Sequence, residues 1–283
     1  MTFGVGVEEP RTFPRVTERL LNQSSSRSRA VEVLNFGIPG YNTLQELTVF
    51  EDVGARLQPD IVVLGFLYND LELSSDQRRH LEQRRASTRV ERSAFNGRLV
   101  RVGVASPGSS HEGVTARVDT TIDFAKRHSL FLSWAAPRLA VLLRPLGVRG
   151  IGLLGDVNAQ FVDGNPEWRR VQSEVLEMKR LCDQRDARLV VLIIPAMTRF
   201  KEGAYPIRPY HEAVSRFCAA SSIAYLDLLP SFWGMDGMRM WISPTDGHPN
   251  AEGHQIIADA LTRFLQPLVT EAARRHDATR LPE

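Results

Sequence analysis

Asp60-Ile-Val-Val-Leu-Gly-Phe-Leu-Tyr-Asn-Asp70 is the stretch that decides the fold of this chain. Its first half is a continuous apolar run, and such runs are typical of strands buried on both faces of a parallel sheet. Runs of this kind predict strands at residues 31–34, 60–65, 188–195 and 223–229. Apolar residues at helical spacing predict helices at residues 12–22, 43–57, 119–147, 166–187, 210–221 and 250–265. Because strands alternate with helices, the sequence predicts an α/β fold with a parallel sheet that helices cover on both faces.

The composition is that of an ordinary globular protein. The 283 residues are 43% hydrophobic and 24% charged, with a formal net charge of +2. We expect a single domain over residues 1–283, with a polar, arginine-rich excursion at about 71–118 and a glycine-rich connection at 150–164. The near-neutral charge gives no indication of a nucleic-acid partner. No apolar run approaches the roughly 18 residues that cross a bilayer, so the sequence predicts no membrane span.

Polar and glycine-containing segments follow the predicted strands, and these are the candidate functional loops. In open α/β sheets, sites lie beyond the carboxyl ends of the strands. The backbone N–H of Gly40 and the side-chain amide of Asn69 are donors that could stabilise an oxyanion. Near the C-terminus, Ser243-Pro-Thr-Asp-Gly-His-Pro-Asn250 forms a predicted loop before the last helix, which Asn250 would cap. In this loop Asp246 could orient His248 as a general base.

Each of these residues also has an ordinary structural interpretation. The loop before the last helix could be a helix cap with an incidental histidine, and Asn69 could cap the next segment. The aromatic and methionine residues before the loop could form an acyl pocket or simply core: Phe232, Trp233, Met235, Met238, Met240 and Trp241. His254 reads as a core or surface residue. The remaining histidines show no pairing in sequence: His80, His111, His128, His211 and His276. With no HExxH-type spacing, we predict no metal and no cofactor.

Taken together, these segments resemble the motif blocks of the SGNH (or GDSL) hydrolases. Asn35-Phe-Gly-Ile-Pro-Gly-Tyr-Asn-Thr-Leu-Gln-Glu46 is similar to the second block, whose oxyanion glycine would be Gly40. Gly65-Phe-Leu-Tyr-Asn-Asp70 is similar to the third block, whose asparagine would be Asn69. Asp246-Gly-His-Pro-Asn-Ala-Glu-Gly253 resembles the last block, with one residue between Asp246 and His248 where the family usually has two.

The start of the chain resembles only the second half of the family's first block. Thr2-Phe-Gly-Val-Gly-Val7 and Thr12-Phe-Pro14 match the segment that follows the nucleophile. The resemblance therefore places the first strand and its Gly-Asp-Ser directly before Met1, outside this chain. It implies a three-layer αβα, flavodoxin-like fold with that first strand missing.

The function that the resemblance implies is ester chemistry. The complete gene product would be a serine ester hydrolase, or a related O-acyltransferase, acting on a small-molecule, carbohydrate or lipid ester. The alternative is a non-catalytic binding protein that keeps the cleft without the serine, and a weaker one takes Gly4-Val-Gly6 as a phosphate-binding loop. Localisation stays open: the chain as given indicates the cytoplasm, but a signal or anchor would lie upstream of Met1.

Overall fold

A computed structural model describes residues 1–23, 30–71, 157–198, 200–201, 205–244 and 246–278. Chain contacts group Met1–Glu72 and Asp156–Glu283 into one compact unit. The predicted excursion at about 71–118 lies outside the described residues except for Leu71, and so does the predicted helix at 119–147. The organisation of residues 1–283 as one domain therefore stays a prediction.

Three parallel strands form the central sheet in the order β1-β2-β3. Strand β1 is Ile61–Phe66, β2 is Arg188–Ile193 and β3 is Ala224–Asp227. Strand β2 lies between the other two and is buried along its length apart from Arg188. Each strand begins within two residues of its predicted start, because a continuous apolar run is a strong signal for a strand buried on both faces.

Helices lie on both sides of this sheet, which gives the predicted three-layer α/β arrangement. They are α1 (Phe13–Gln23), α2 (Thr43–Asp52), α3 (Val157–Gln160), α4 (Pro166–Asp183), α5 (Arg208–Ala220), α6 (Leu229–Phe232) and α7 (Ala251–Ala278). Helix α1 packs against α7, and α2 packs against α4. Short 3₁₀ turns lie at Glu9–Arg11, Gly54–Leu57 and Gly237–Met240.

Asparagine side chains begin three of these helices. Asn42 and Gln45 form a reciprocal capping box, each side chain accepting from the other's backbone N–H at 3.2 Å. Asn165 accepts from the second and third residues of α4. Asn250 accepts from the amides of Glu252 and Gly253 at 3.0 and 3.2 Å, which confirms the predicted cap. Helix α7 then continues past the predicted end at 265, through Pro267, because its buried stripe continues to Leu265 and Ala272.

The predicted strand at residues 31–34 is wrong. This segment is extended but joins no ladder, and its backbone is held by α1 instead. The amide of Val33 donates to the Glu18 carboxylate at 2.6 Å, and the Asn22 side chain bonds both backbone groups of Val31 at 2.8 Å. Within the described part of the chain, β1 pairs only with β2, and residues 31–34 do not pair with its other side.

Two further expectations also need correction. The stretch around Asp246 is not a loop but an antiparallel hairpin of β4 (Trp241–Ser243) and β5 (Asp246–Pro249). The expected glycine-rich connection at 150–164 contains the short helix α3, where the structure describes it. Both elements are three or four residues long, too short for a periodic pattern to reveal.

Candidate active site

Asp246 and His248 form a hydrogen-bonded pair on β5. The His248 ring nitrogen Nδ1 lies 2.5 Å from Asp246 Oδ1, and the backbone N–H of His248 donates to the same oxygen at 3.0 Å. The side chain of His248 is 45% exposed and that of Asp246 is 38% exposed, so the pair faces solvent at the surface of the unit. The single intervening residue, Gly247, lets one carboxylate oxygen meet both groups of the histidine.

The electrostatics of the pair fix the proton arrangement. Burial alone would raise the pKa of Asp246, but the hydrogen bonds from the backbone and ring of His248 outweigh it and lower that pKa. An ionised carboxylate can only accept, so Nδ1 of His248 carries the hydrogen that it donates to Asp246. In the neutral ring, Nε2 is then the acceptor, which is the form that a general base requires.

Gly40 lies in a tight turn that follows the extended segment. Its φ of +77° is in the left-handed region, and no atom lies within 4 Å of where a Cβ would stand. The turn closes with a hydrogen bond from the Tyr41 amide to the Ile38 carbonyl at 3.3 Å. Glycine is therefore required here by backbone conformation, and its surroundings are open.

Asn69 lies in a second turn, directly after β1. The Leu67 amide donates to Asp70 Oδ2 at 2.7 Å, and the Asp70 amide donates back to the Leu67 carbonyl at 3.0 Å. Asp70 is buried, with 5% of its surface exposed, whereas Asn69 is exposed. In the described part of the chain, no hydrogen bond joins either predicted donor, Gly40 or Asn69, to the Asp246–His248 pair.

The first residues of the chain reach into the same region. Thr2 lies between Gly37 and Gly65: a Cβ on either glycine would be 2.8 Å from a Thr2 side-chain atom. The Asn35 side chain also donates to the Thr2 carbonyl at 3.0 Å. The amine of Met1 is largely buried, which lowers its pKa, while the carboxylates of Asp70, Glu46 and Asp246 act in the opposite direction.

Two carboxyl groups act on that amine: Asp70, which is buried, and Glu46, which is half-buried. Burial raises the pKa of Glu46 to about 7, opposed by the positive charge of the amine. Burial, reinforced by the charge of Glu46, raises the pKa of Asp70 well above its usual value. Oε2 of Glu46 is buried and has no hydrogen-bond partner among the described residues. These two groups hold protons at pH values where most carboxyl groups are ionised.

Two of the histidines that were expected to be unpaired have partners. His211, expected to be unpaired, lies 2.7 Å from Asp227 through Nδ1 and 2.8 Å from the Tyr205 hydroxyl through Nε2. His276 is likewise paired, with Asp60 at 2.6 Å. His254 is a core residue, as expected, at 1% exposure. Sequence reasoning missed the His211 pair because its partners are 6 and 16 residues away, and no local spacing signals them.

The aromatic and methionine residues before the hairpin divide between core and surface. Phe232 and Met240 are buried, whereas Trp233, Met235 and Met238 are 41–50% exposed. Trp233 lines a cleft of about 520 Å³ beside α5, together with Arg208, His211 and Asp227. Neither Asp246 nor His248 is among its lining residues, so this cleft is not the acyl pocket of the pair.

The described residues contain neither a metal-binding cluster nor a membrane-spanning helix. Within those ranges, no group of three or more His, Cys, Asp or Glu side chains is arranged to hold a metal ion. Of the helices in the described part of the chain, none has the length and apolarity to cross a membrane.

The model of a family described as the GDSL-like Lipase/Acylhydrolase family matches residues 1–256 of the chain. No curated protein matches it significantly. The matched region takes in the Gly40 turn, the Asn69 turn and the Asp246–His248 pair.

Proposed function

The chain belongs to the GDSL-like lipase/acylhydrolase family, whose general function is acyl-ester hydrolysis, and from this premise we propose that its complete gene product is a serine ester hydrolase. The nucleophile is a serine that directly precedes Met1, at the end of a strand that pairs with β1. His248 is the general base, Asp246 orients it, and Gly40 and Asn69 supply the oxyanion donors. The substrate class is a small carboxylic ester, including carbohydrate or lipid esters.

The mechanism follows from the proton arrangement of the pair. The serine hydroxyl attacks the ester carbonyl and passes its proton to Nε2 of His248, while Asp246 stabilises the imidazolium through Nδ1. The carbonyl oxygen becomes an oxyanion and accepts from the Gly40 N–H and the Asn69 side-chain amide. His248 then returns the proton to the leaving alcohol. Water, or an acceptor hydroxyl in a transferase, attacks the acyl-serine by the same steps.

The observation that carries this proposal is the position of the first residues. Thr2 lies between Gly37 and Gly65, where a Cβ on either glycine would be 2.8 Å from a Thr2 side-chain atom, and Asn35 donates to the Thr2 carbonyl at 3.0 Å. A serine joined to the Met1 amine would therefore be next to a segment that contacts both the second and the third block. The unpaired side of β1 among the described residues is where the strand leading to that serine would add.

An N-terminal extension tests the proposal. The extended protein carries an apolar strand of about 5–6 residues ending in Gly-Asp-Ser, and its matched control ends in Gly-Asp-Ala. We expect the serine form to hydrolyse aryl esters and to be labelled by a fluorophosphonate, and the alanine form and the 283-residue chain to do neither. An in-frame stop codon just upstream of the Met1 codon, or an inactive serine form, would favour the non-catalytic binding protein.

Variants of the extended protein separate the roles. His248→Ala should abolish turnover, Asn69→Ala should lower kcat by roughly 10²–10³, and Asp246→Ala should lower it by up to about 10⁴. His276→Ala is the matched control, because His276 and Asp60 form a second His–Asp pair at 2.6 Å on the opposite end of the strands. Activity that survives His248→Ala, or is lost in His276→Ala, would show that the base is misassigned.

A further inference from the structure

The segment that leads into the His248 hairpin is docked onto the segment that follows β2. Three backbone bonds join these two segments: Gly237 N–H to the Thr198 carbonyl at 2.8 Å, Gly234 N–H to the Phe200 carbonyl at 2.6 Å, and Phe200 N–H to the Met235 carbonyl at 3.3 Å. The approach is close enough that a Cβ on Gly237 would lie 2.1 Å from the Thr198 carbonyl oxygen. The chain thus enters the hairpin from a segment that is fixed to the end of the central strand of the described sheet.

One side chain extends this docking to the hairpin itself. The indole Nε1–H of Trp241 donates to the Met197 carbonyl at 2.5 Å. Trp241 is the first residue of β4 and lies opposite Pro249 in the hairpin register. Its ring covers Gly247: a Cβ on this glycine would be 3.5 to 3.8 Å from three ring atoms of Trp241. The ring therefore packs against the residue between Asp246 and His248.

We propose that Trp241 is a positioning residue for His248, an inference that rests on the proposed function. The indole N–H ties β4 to the end of β2, and the ring face supports the one-residue link on which the Asp246–His248 geometry depends. Because both residues of the pair are more than a third exposed, few other contacts hold them. A fixed backbone beneath them supplies the orientation that a general base needs.

The Met197 segment is itself anchored by the buried His211 pair. Tyr205 Oη accepts from the Ala196 amide at 3.2 Å and donates to Nε2 of His211, whose Nδ1–H is then directed to Asp227. The Leu229 amide donates to the same Asp227 oxygen at 2.9 Å. This chain of bonds ties Ala196 to α5 and to the end of β3, so the acceptor of the Trp241 indole has little freedom to move.

The test uses Trp241→Phe, which keeps an aromatic ring and removes the N–H donor. In the 283-residue chain, the Nδ1 proton of His248 should give a low-field NMR resonance, assigned by its loss in His248→Ala. We expect Trp241→Phe to shift or broaden this resonance. The resonance of the His211–Asp227 pair should stay in place and report that the fold is intact. In the extended enzyme, kcat should fall roughly threefold to tenfold with KM unchanged.

Trp233→Phe is the matched control, because Trp233 is 41% exposed and lines the cleft beside His211 and Asp227 without a described side-chain hydrogen bond to the Met197 segment or to the hairpin. It should leave the His248 resonance and kcat unchanged. An unshifted His248 resonance in Trp241→Phe, even with a lower Tm, would overturn the inference and leave Trp241 a purely structural role. Because the NMR readout needs no turnover, it decides the inference even if the extended protein proves inactive, which would count only against the proposed function.

Discussion

Acid sensitivity should arise largely from one buried histidine, His254. It lies on α7 at 1% exposure, its Nδ1 accepts from the Phe13 amide at 3.0 Å, and its ring stacks on that of Phe13 with centroids 5.7 Å apart. An accepting Nδ1 belongs to the neutral ring. Burial, with a smaller effect from the nearby Met1 amine, lowers the pKa of His254 from 6.5 to about 4.

The magnitude follows from this difference in pKa. As the pH falls, the unfolded chain protonates its histidine near 6.5, whereas the folded chain resists until about 4. The contribution of neutral His254 to the free energy of unfolding is therefore complete above about pH 6.5 and is lost progressively as the pH falls to about 4. At 1.36 kcal/mol per pH unit, that interval corresponds to a loss of up to about 3 kcal/mol in the free energy of unfolding.

Urea unfolding of the wild type and His254→Asn, at several pH values from 7.5 to 4, measures this loss. Asparagine keeps an acceptor for the Phe13 amide but does not titrate. We expect the wild type to be the more stable at pH 7.5, and its advantage to shrink by up to about 3 kcal/mol on acidification. His276→Asn, at an exposed pair, should change stability by no more than about 1 kcal/mol. A wild-type advantage that is constant with pH would refute the reasoning.

Three further changes should have measurable effects on the free energy of unfolding in urea. Burial keeps Glu46 protonated to about pH 7, so the free energy of unfolding of the wild type should fall by up to about 3 kcal/mol as the pH rises from 4.5 to 7. Glu46→Gln should show no such fall, and parallel pH curves for the two proteins would contradict this. Gly237→Ala should cost about 1–3 kcal/mol or more, because its methyl would overlap the Thr198 carbonyl; an unchanged stability would be incompatible with the close approach. Arg170 contacts the buried Glu174 carboxylate at 2.6 Å, so Arg170→Met should cost about 3–5 kcal/mol because it leaves that carboxylate buried without a partner. Adding Glu174→Leu should recover most of the lost stability, and a double variant no more stable than the single one would argue against the pairing.

The central sheet could be predicted from the sequence because its strands are buried on both faces. A continuous apolar run, as at residues 188–195, has few alternatives in a chain of this composition, and all three observed strands begin close to their predicted starts. Residues 31–34 carried a weaker form of the same signal, interrupted by Glu32. Whether such a short run forms a strand depends on a neighbouring strand, which is tertiary information that the run itself does not contain.

The pairing of Asp246 with His248 could be predicted from the sequence, but the geometry around the pair could not. The two residues are two positions apart, so their contact could be inferred from local spacing. The support beneath them could not be inferred. The indole of Trp241 bonds a carbonyl 44 residues earlier, and His211 bonds an aspartate 16 residues later. Contacts across such separations arise only when the strands have been placed side by side.

Among the described residues β1 pairs on one side only, and this bears on how the chain behaves in concentrated solution. Unpaired N–H and C=O groups along an apolar strand form a template to which a second chain can add, and natural proteins usually cover or charge such an edge. Strand β1 contains only apolar residues and glycine, and the extended residues 31–34 are tied to α1 rather than to it. Where no other segment covers this edge, edge-to-edge aggregation would compete with folding, and a peptide strand that occupies the edge would act as a solubilising partner.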